Sequence, residues 1–145
     1  MSAFHHTREL PAGPEEVFQA LADPERLARW WGPDGFTNTI HKFEFTPGGA
    51  WEFTMHGPDG ASYPNQVVFE AISPNASVVI RHGSQPHFRL SIALTPTASG
   101  TLVSWRQEFD DPAVAARMRS IVEPANEQNL TRWGQEVAAF AKGGA

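Results

Sequence analysis

Apolar and polar side chains alternate through the middle of the chain, from Thr37 to Phe109, as they do in β-strands with one buried face. Trp51, Phe53 and Met55, for example, are separated by single polar residues. Turn sequences rich in proline and glycine divide this region into short segments, which is typical of hairpins. With a first strand over residues 4–10, the pattern predicts an antiparallel meander of about six or seven strands.

Helical spacing of apolar residues occurs on either side of this region. Residues 14–31 carry apolar side chains at helical spacing. Asp23-Pro24 divides them, since aspartate caps helices and proline suits the first helical turn. The sequence therefore predicts two short helices that meet at Asp23, the second ending at Gly32-Pro33.

A longer helical segment begins at Asp111-Pro112 and extends towards the C-terminus. Pro124 interrupts it, either as a kink or as the first turn of a final helix. Gly134 lowers helix propensity by about 1 kcal/mol, and a close approach of the helix to a sheet is a reason to keep it. This last segment carries one apolar stripe, formed by Leu130, Trp133 or Gly134, Val137, and Phe140 or Ala141.

The order of these elements favours one α+β domain over residues 1–145. An antiparallel sheet needs its apolar face covered, and the C-terminal helix is the predicted element long enough to cover it. We therefore expect a curved antiparallel sheet wrapped on this helix, with the two short helices after the first strand. The wedge between sheet and helix has room for a cavity.

Four segments of the chain carry a resemblance to a known family: LADPERLARWWGPDGFTN, FTPGGAWEFTMHGPDGASYPNQVVFEAISPN, GTLVSWRQEF and NEQNLTRW. In order and separation they resemble the signature blocks of the heat-shock-protein-90 ATPase activator homologue family. The resemblance extends over roughly residues 4–141. That family belongs to the START-like superfamily, so the resemblance implies a helix-grip fold with a hydrophobic cavity for a lipid-like or polyketide-like ligand.

Composition narrows the range of partners. The chain has 11 lysines and arginines against 16 aspartates and glutamates, a net charge of −5. It has no run of basic residues, which argues against nucleic acid as a partner. It has no cysteine, no leader pattern at its N-terminus and no apolar stretch of roughly 18 residues. We therefore expect a cytoplasmic monomer or homodimer without membrane insertion.

The sequence lacks the motifs of common catalytic and metal sites. His5 and His6 are neighbours that face opposite sides of a strand, and the histidine spacing fits no metal-binding motif. There is no G-x-S-x-G nucleophile motif and no glycine-rich phosphate loop. We predict no catalytic residue, no metal and no cofactor.

The candidate ligand-binding residues are large side chains on the inward phase of successive strands, together with groups on the helices. Packing in an ordinary hydrophobic core explains each aromatic ring taken alone. So many rings beneath a helix that carries Gly134, however, favour a cavity with aromatic walls. Trp30 and Trp31 fit either packing or a place at the cavity mouth. Amides on the last helix are either surface groups or ligand contacts. The predicted set is Trp31, Phe43, Trp51, Phe53, Met55, Phe69, Phe88, Trp105, Asn126, Asn129 and Trp133.

Three functions are compatible with the sequence. We favour binding of a small apolar or amphipathic molecule in the cavity between the sheet and the C-terminal helix. The first alternative is a protein-interaction or co-chaperone-like regulatory module. The second is a cyclase- or hydrolase-like enzyme that uses the same cavity, since such sites act with few polar groups.

Overall fold

The computed structural model describes residues 2–143, and its elements follow the predicted order. They are β1 (Ala3–Leu10), α1 (Pro14–Ala22), α2 (Pro24–Trp30), β2 (Thr37–Phe43), β3 (Ala50–His56), β4 (Ser62–Ser73), β5 (Ser77–His82), β6 (Phe88–Pro96), β7 (Thr101–Phe109) and α3 (Pro112–Gly143). Within these residues the strands form one antiparallel sheet in the order β1-β7-β6-β5-β4-β3-β2. The predicted meander and the α+β helix-grip architecture are confirmed.

Local sequence explains why the chain leaves β1 through two short helices. Pro14 lies in the first turn of α1, and Glu15 and Glu16 follow it at the positive end of the helix dipole. The carboxylate of Asp23 accepts a hydrogen bond from the backbone N–H of Glu25 at 3.0 Å, which caps α2. The predicted junction at Asp23 is confirmed.

The last element, α3, is one continuous helix of 32 residues. Pro124 lies inside it, so the alternative of a separate final helix is excluded. Because proline has no backbone N–H, the helix lacks one of its hydrogen bonds there. The helix contacts β1 and β7 as well as α1 and α2, and it thereby covers the apolar face of the sheet as predicted.

The two adjacent tryptophans at the end of α2 are both buried, and they face different partners. Trp30 stacks on Trp133 of α3, with ring centroids 4.6 Å apart and an interplanar angle of 7°. The Trp30 N–H donates to the carbonyl of Ala20, and the Trp133 N–H donates to that of Val17. These contacts hold the three helices together. Trp31 instead turns its ring towards the sheet.

Gly134 lies where α3 passes close to the first strand. A Cβ atom at this position would be 3.1 Å from Cδ2 of Leu10 on β1, which is tighter than ordinary packing. We expect Gly134→Leu to lower the free energy of unfolding by about 1–3 kcal/mol, despite the better helix propensity of leucine. Urea unfolding measures this loss. Gln135→Leu, at the exposed neighbouring position, is the matched control and should be close to neutral.

An ion cluster joins α2 to α3 beside the tryptophan stack. The carboxylate of Glu136 accepts hydrogen bonds from Nε of Arg26 at 3.1 Å and from Nε of Arg29 at 2.9 Å. The side chains of Arg26 and Glu136 are 7% and 10% exposed, so this pair is largely shielded from water. Hydrogen bonding to Arg29, and secondarily to Arg26, holds the pKa of Glu136 below its usual range.

This lowered pKa predicts an acid-dependent loss of stability. The unfolded chain protonates Glu136 at a higher pH than the folded chain, so the stabilisation is complete above about pH 5 and is lost as pH falls through the folded pKa. We expect Glu136→Gln to flatten the dependence of unfolding free energy on pH below about pH 5. Glu123→Gln, at a side chain 45% exposed on the same helix, is the matched control. Identical slopes in all three proteins would contradict the assignment.

Candidate functional site

A cavity of about 480 Å³ lies between the inner face of the sheet and the first half of α3. This volume is in the range of small-molecule binding sites. Residues at the start of β4 and in the loop before β6 line it, which places the cavity at one end of the sheet. A third wall comes from the segment that follows α2.

Most of the lining is apolar, and it comes from elements far apart in the chain. The helix presents Met118 and Val122 to the cavity. The opposite wall consists of side chains from the inner face of the sheet, and the third wall follows α2. These two walls contain Phe53, Met55, Phe88 and Phe109 from the sheet, and Trp31, Pro33 and Phe36 after α2.

His82 is the buried titratable group in the wall of the cavity. Its Nδ1 lies 2.8 Å from the carbonyl oxygen of Pro86, and its Nε2 lies 2.6 Å from Oδ1 of Asn65. The imidazole also stacks on Phe88, with centroids 4.5 Å apart and an angle of 7°. Burial lowers the pKa of His82, which favours a neutral ring at neutral pH. Both ring nitrogens face protein oxygens, and a neutral imidazole donates its single N–H to one of them, so His82 lines the cavity without a free donor.

Gln107 and Asn126 form a buried amide pair between β7 and α3. Their residues are 8% and 5% exposed, and the Asn126 side-chain N–H donates to Oε1 of Gln107 at 3.1 Å. Gln107 lines the cavity and Asn126 does not. Asn126 therefore contacts the wall of the cavity rather than the space inside it.

The wall that follows α2 is tied to α3 by Arg132. The guanidinium donates to the carbonyls of Arg29 at 2.9 Å, Gly32 at 2.8 Å, Pro33 at 2.7 Å and Phe36 at 3.0 Å. Burial lowers the pKa of this guanidinium. Because several backbone carbonyls converge on one rigid group, the whole segment is held in one position.

A second helix side chain fixes the same segment. Oδ1 of Asn129, which is 7% exposed, accepts a hydrogen bond from the backbone N–H of Gly32 at 2.9 Å. Gly32 has φ +98°, a conformation that glycine adopts without strain. The turn after α2 thus depends on both its own glycine and the helix packed against it.

The sequence profile of the family described as "Activator of Hsp90 ATPase homolog 1-like protein" matches residues 11–139. The match extends from the end of β1 to the last turns of α3. The chain belongs to this family. The resemblance read from the sequence blocks is thereby confirmed, with the START-like helix-grip fold that it implies.

Solved structures of bacterial proteins have the same fold as this family member. A protein from Nitrosomonas europaea superposes with a TM-score of 0.86 at 19% identity, covering 94% of each chain. A protein from Arthrobacter aurescens superposes with a TM-score of 0.87 at 21% identity, and the match covers 95% of this chain and 87% of that one. The AHSA1 protein from Silicibacter pomeroyi superposes with a TM-score of 0.76 at 22% identity, and the match covers 94% of this chain and 98% of that one. Comparison with proteins of curated function gives no match.

Four of the residues predicted from the sequence lie together at the cavity: Trp31, Phe53, Met55 and Phe88. Trp31 also contacts two tryptophans of the core. Its ring lies 4.9 Å from that of Trp51 and 5.7 Å from that of Trp105. Of the two adjacent tryptophans, Trp31 therefore lines the cavity and Trp30 packs between helices.

The other seven predicted residues do not line this cavity. Four of them belong to the solid core behind Trp31: Trp51, Phe69, Trp105 and Trp133. The N–H groups of Trp51 and Trp105 have no hydrogen-bond partner in the described chain. Phe43 stacks on Phe45 and borders a separate depression beside α2. Asn126 and Asn129 bind Gln107 and Gly32 as described above.

Sequence reasoning missed the polar members of the lining. His82 and Gln107 lie on the inward phase of β5 and β7, two positions after Ile80 and Trp105. The alternation along these strands therefore indicates that both side chains face inward. The predicted set included only the apolar residues of the strands, so it omitted them. Tyr63, Pro64 and Pro86 line the cavity from strand ends and a loop, where alternation gives no signal.

Within residues 2–143, no three histidine, aspartate or glutamate side chains come together as metal ligands would. No helix in that range is both long enough and apolar enough to cross a membrane.

Proposed function

We propose that this protein binds one small, neutral, apolar or amphipathic molecule in the cavity between the sheet and α3. The observation that carries the proposal is the lining itself, which combines apolar side chains with a few neutral polar groups. Pockets of this composition and size are typical small-molecule sites. The helix-grip fold of the family is compatible with such a role.

The neutrality of the ligand follows from the polar groups that line the cavity. They are uncharged amides and hydroxyls, together with His82, whose lowered pKa favours the neutral imidazole. A charged ligand would lose its hydration on entry without gaining an opposite charge, which is costly in free energy. An apolar body with one or two neutral polar groups matches this lining.

A fluorescence titration with N-phenyl-1-naphthylamine tests the proposal. This neutral probe has about 17 non-hydrogen atoms. At about 0.4 kcal/mol of favourable binding free energy per atom, the total should be about 7 kcal/mol. That corresponds to a dissociation constant of about 10 μM. We expect enhanced probe emission that saturates near one molecule per chain.

Two tryptophan substitutions at neighbouring helix positions locate the bound probe. Val122 is 7% exposed and lines the cavity, whereas Ile121 is 65% exposed on the outer side of α3. Val122→Trp should fill the cavity and weaken probe binding at least about tenfold. Ile121→Trp, the matched control, should bind like the parent, and melting curves show that both variants are folded.

Two results would overturn the proposal. One is the absence of saturable binding by the parent protein. The other is equal binding by a folded Val122→Trp variant, which would place the probe elsewhere on the surface. Either result would favour the alternative of a regulatory protein-interaction module.

A further inference from the structure

We propose that Gln107 donates a hydrogen bond to a neutral oxygen of the bound molecule, and that Asn126 positions it to do so. The ligand class is then an apolar compound that carries a carbonyl, ether or hydroxyl oxygen on the side that faces β7. This inference rests on the proposed function, and it assigns the polar contact that orients the ligand.

The oxygen and the nitrogen of the Gln107 carboxamide differ in their hydrogen bonding. Its Oε1 is occupied by the Asn126 N–H at 3.1 Å. Its Nε2 has no hydrogen-bond partner among residues 2–143, and it is not one of the unpartnered atoms sealed inside the core. Gln107 is 8% exposed, and it lines the cavity. The free N–H donors of a buried side chain therefore face the cavity.

The surroundings of Gln107 make this donor significant. On the sheet it pairs with Leu90 of β6 and Phe4 of β1, and Phe109 follows it on the inner face of β7. A hydrogen-bond donor among apolar side chains costs free energy while it lacks an acceptor. A ligand oxygen that accepts this bond recovers that free energy, whereas a hydrocarbon of the same shape leaves the donor unpartnered.

Asn126 acts through Gln107 and is a positioning residue. Its N–H holds Oε1 towards α3, so the other end of the carboxamide is directed away from the helix. Because the carboxamide is uncharged, it selects a neutral acceptor and provides no cation for a carboxylate or phosphate. At the second polar region of the cavity, both ring nitrogens of His82 face protein oxygens, from Pro86 and Asn65, so no His82 N–H is left for a ligand.

A pair of matched probes separates the oxygen contact from apolar binding. One is 6-propionyl-2-(dimethylamino)naphthalene, whose emission moves to longer wavelength when its carbonyl accepts a hydrogen bond. The other is the 6-propyl analogue, which lacks the oxygen. We expect Gln107→Leu to weaken the carbonyl probe about tenfold and the propyl probe less than about twofold. Emission of the bound carbonyl probe should also move to shorter wavelength in this variant.

Asn126→Leu tests the positioning role through probe affinity and the emission wavelength of the bound carbonyl probe. The carbonyl probe should bind more weakly to this variant and show emission between those of the parent and Gln107→Leu. Binding of the propyl probe should be unchanged. If Gln107→Leu does not fold, Gln107→Met is the second variant, since it keeps an unbranched side chain of similar length.

The outcomes distinguish this inference from the proposed function. Suppose that both probes bind the parent, and that the Gln107 variants either weaken the two probes equally or weaken neither of them. The hydrogen bond is then refuted, while the cavity function stands. Tighter binding of the carbonyl probe by Gln107→Leu would also refute it. If neither probe binds the parent protein, the proposed function fails and this inference fails with it.

Discussion

Replacing Trp133 with alanine should lower the free energy of unfolding by about 3–5 kcal/mol, the usual cost of deleting a fully buried ring. Trp133 is 0% exposed, stacks on Trp30 and lies 6.4 Å from the ring of Trp105. The substitution would open a void where α3 meets the short helices. It would also remove the hydrogen bond to the carbonyl of Val17. Urea unfolding at neutral pH measures the loss.

Trp133→Phe separates the ring from its hydrogen bond. Phenylalanine retains most of the aromatic contact with Trp30 but has no N–H to donate, so we expect a smaller loss of about 1–2 kcal/mol. Equal stability of the alanine variant and the parent would contradict the packing of α3 on the short helices.

Replacing Arg132 with methionine should cost about 3 kcal/mol of stability and weaken probe binding about tenfold. The guanidinium holds the carbonyls of the segment after α2, and this segment supplies Pro33 and Phe36 to the cavity wall. Hydrogen bonds from a charged donor contribute more than neutral ones, and a mobile wall reduces apolar contact with a ligand. Urea unfolding and the N-phenyl-1-naphthylamine titration measure the two effects.

Arg132→Lys provides the matched control for charge. A lysine ammonium keeps the charge but lacks the planar fork that reaches several carbonyls at once. We expect this variant to be intermediate in both stability and probe affinity. A methionine variant with parental stability and affinity would show that the segment after α2 holds its position without Arg132.

The sequence predicted the fold well because the strongest patterns in this chain are local. Alternation along β3 and β7 identifies strands with one buried face, and Asp23-Pro24 marks the end of one helix and the start of the next. Short turns between strands then make the meander the simplest topology. Pro124 was ambiguous, since proline can end a helix, and the contacts of α3 with neighbouring elements stabilise it as one helix.

The candidate site was predicted less completely, because alternation identifies a face and not a position along it. Trp51 and Phe53 share the inward phase of β3, yet Phe53 lines the cavity and Trp51 packs behind it. What separates them is Trp31, whose ring contacts Trp51 across the space between helix and sheet. Such a contact depends on how elements separated along the chain pack together.

Contacts over long sequence separations determined the roles of the amides as well. Asn129 meets the N–H of Gly32 across 97 positions, and Asn126 meets Gln107 across 19. The sequence shows that amides are present on the last helix, and it leaves open whether they face water, protein or ligand. The geometry of α3 against the sheet and the α2 turn determines this.

The proposed function requires that a small molecule occupies the space between the sheet and α3. The chain has three methionines, and two of them, Met55 on β3 and Met118 on α3, line the cavity from opposite walls. Methyl NMR of methionine-labelled protein therefore observes both walls at once, with Met55→Leu and Met118→Leu assigning the signals. On titration with N-phenyl-1-naphthylamine, we expect both methyl resonances to shift together and to reach saturation near one equivalent. Probe binding that leaves both resonances unchanged would contradict the claim.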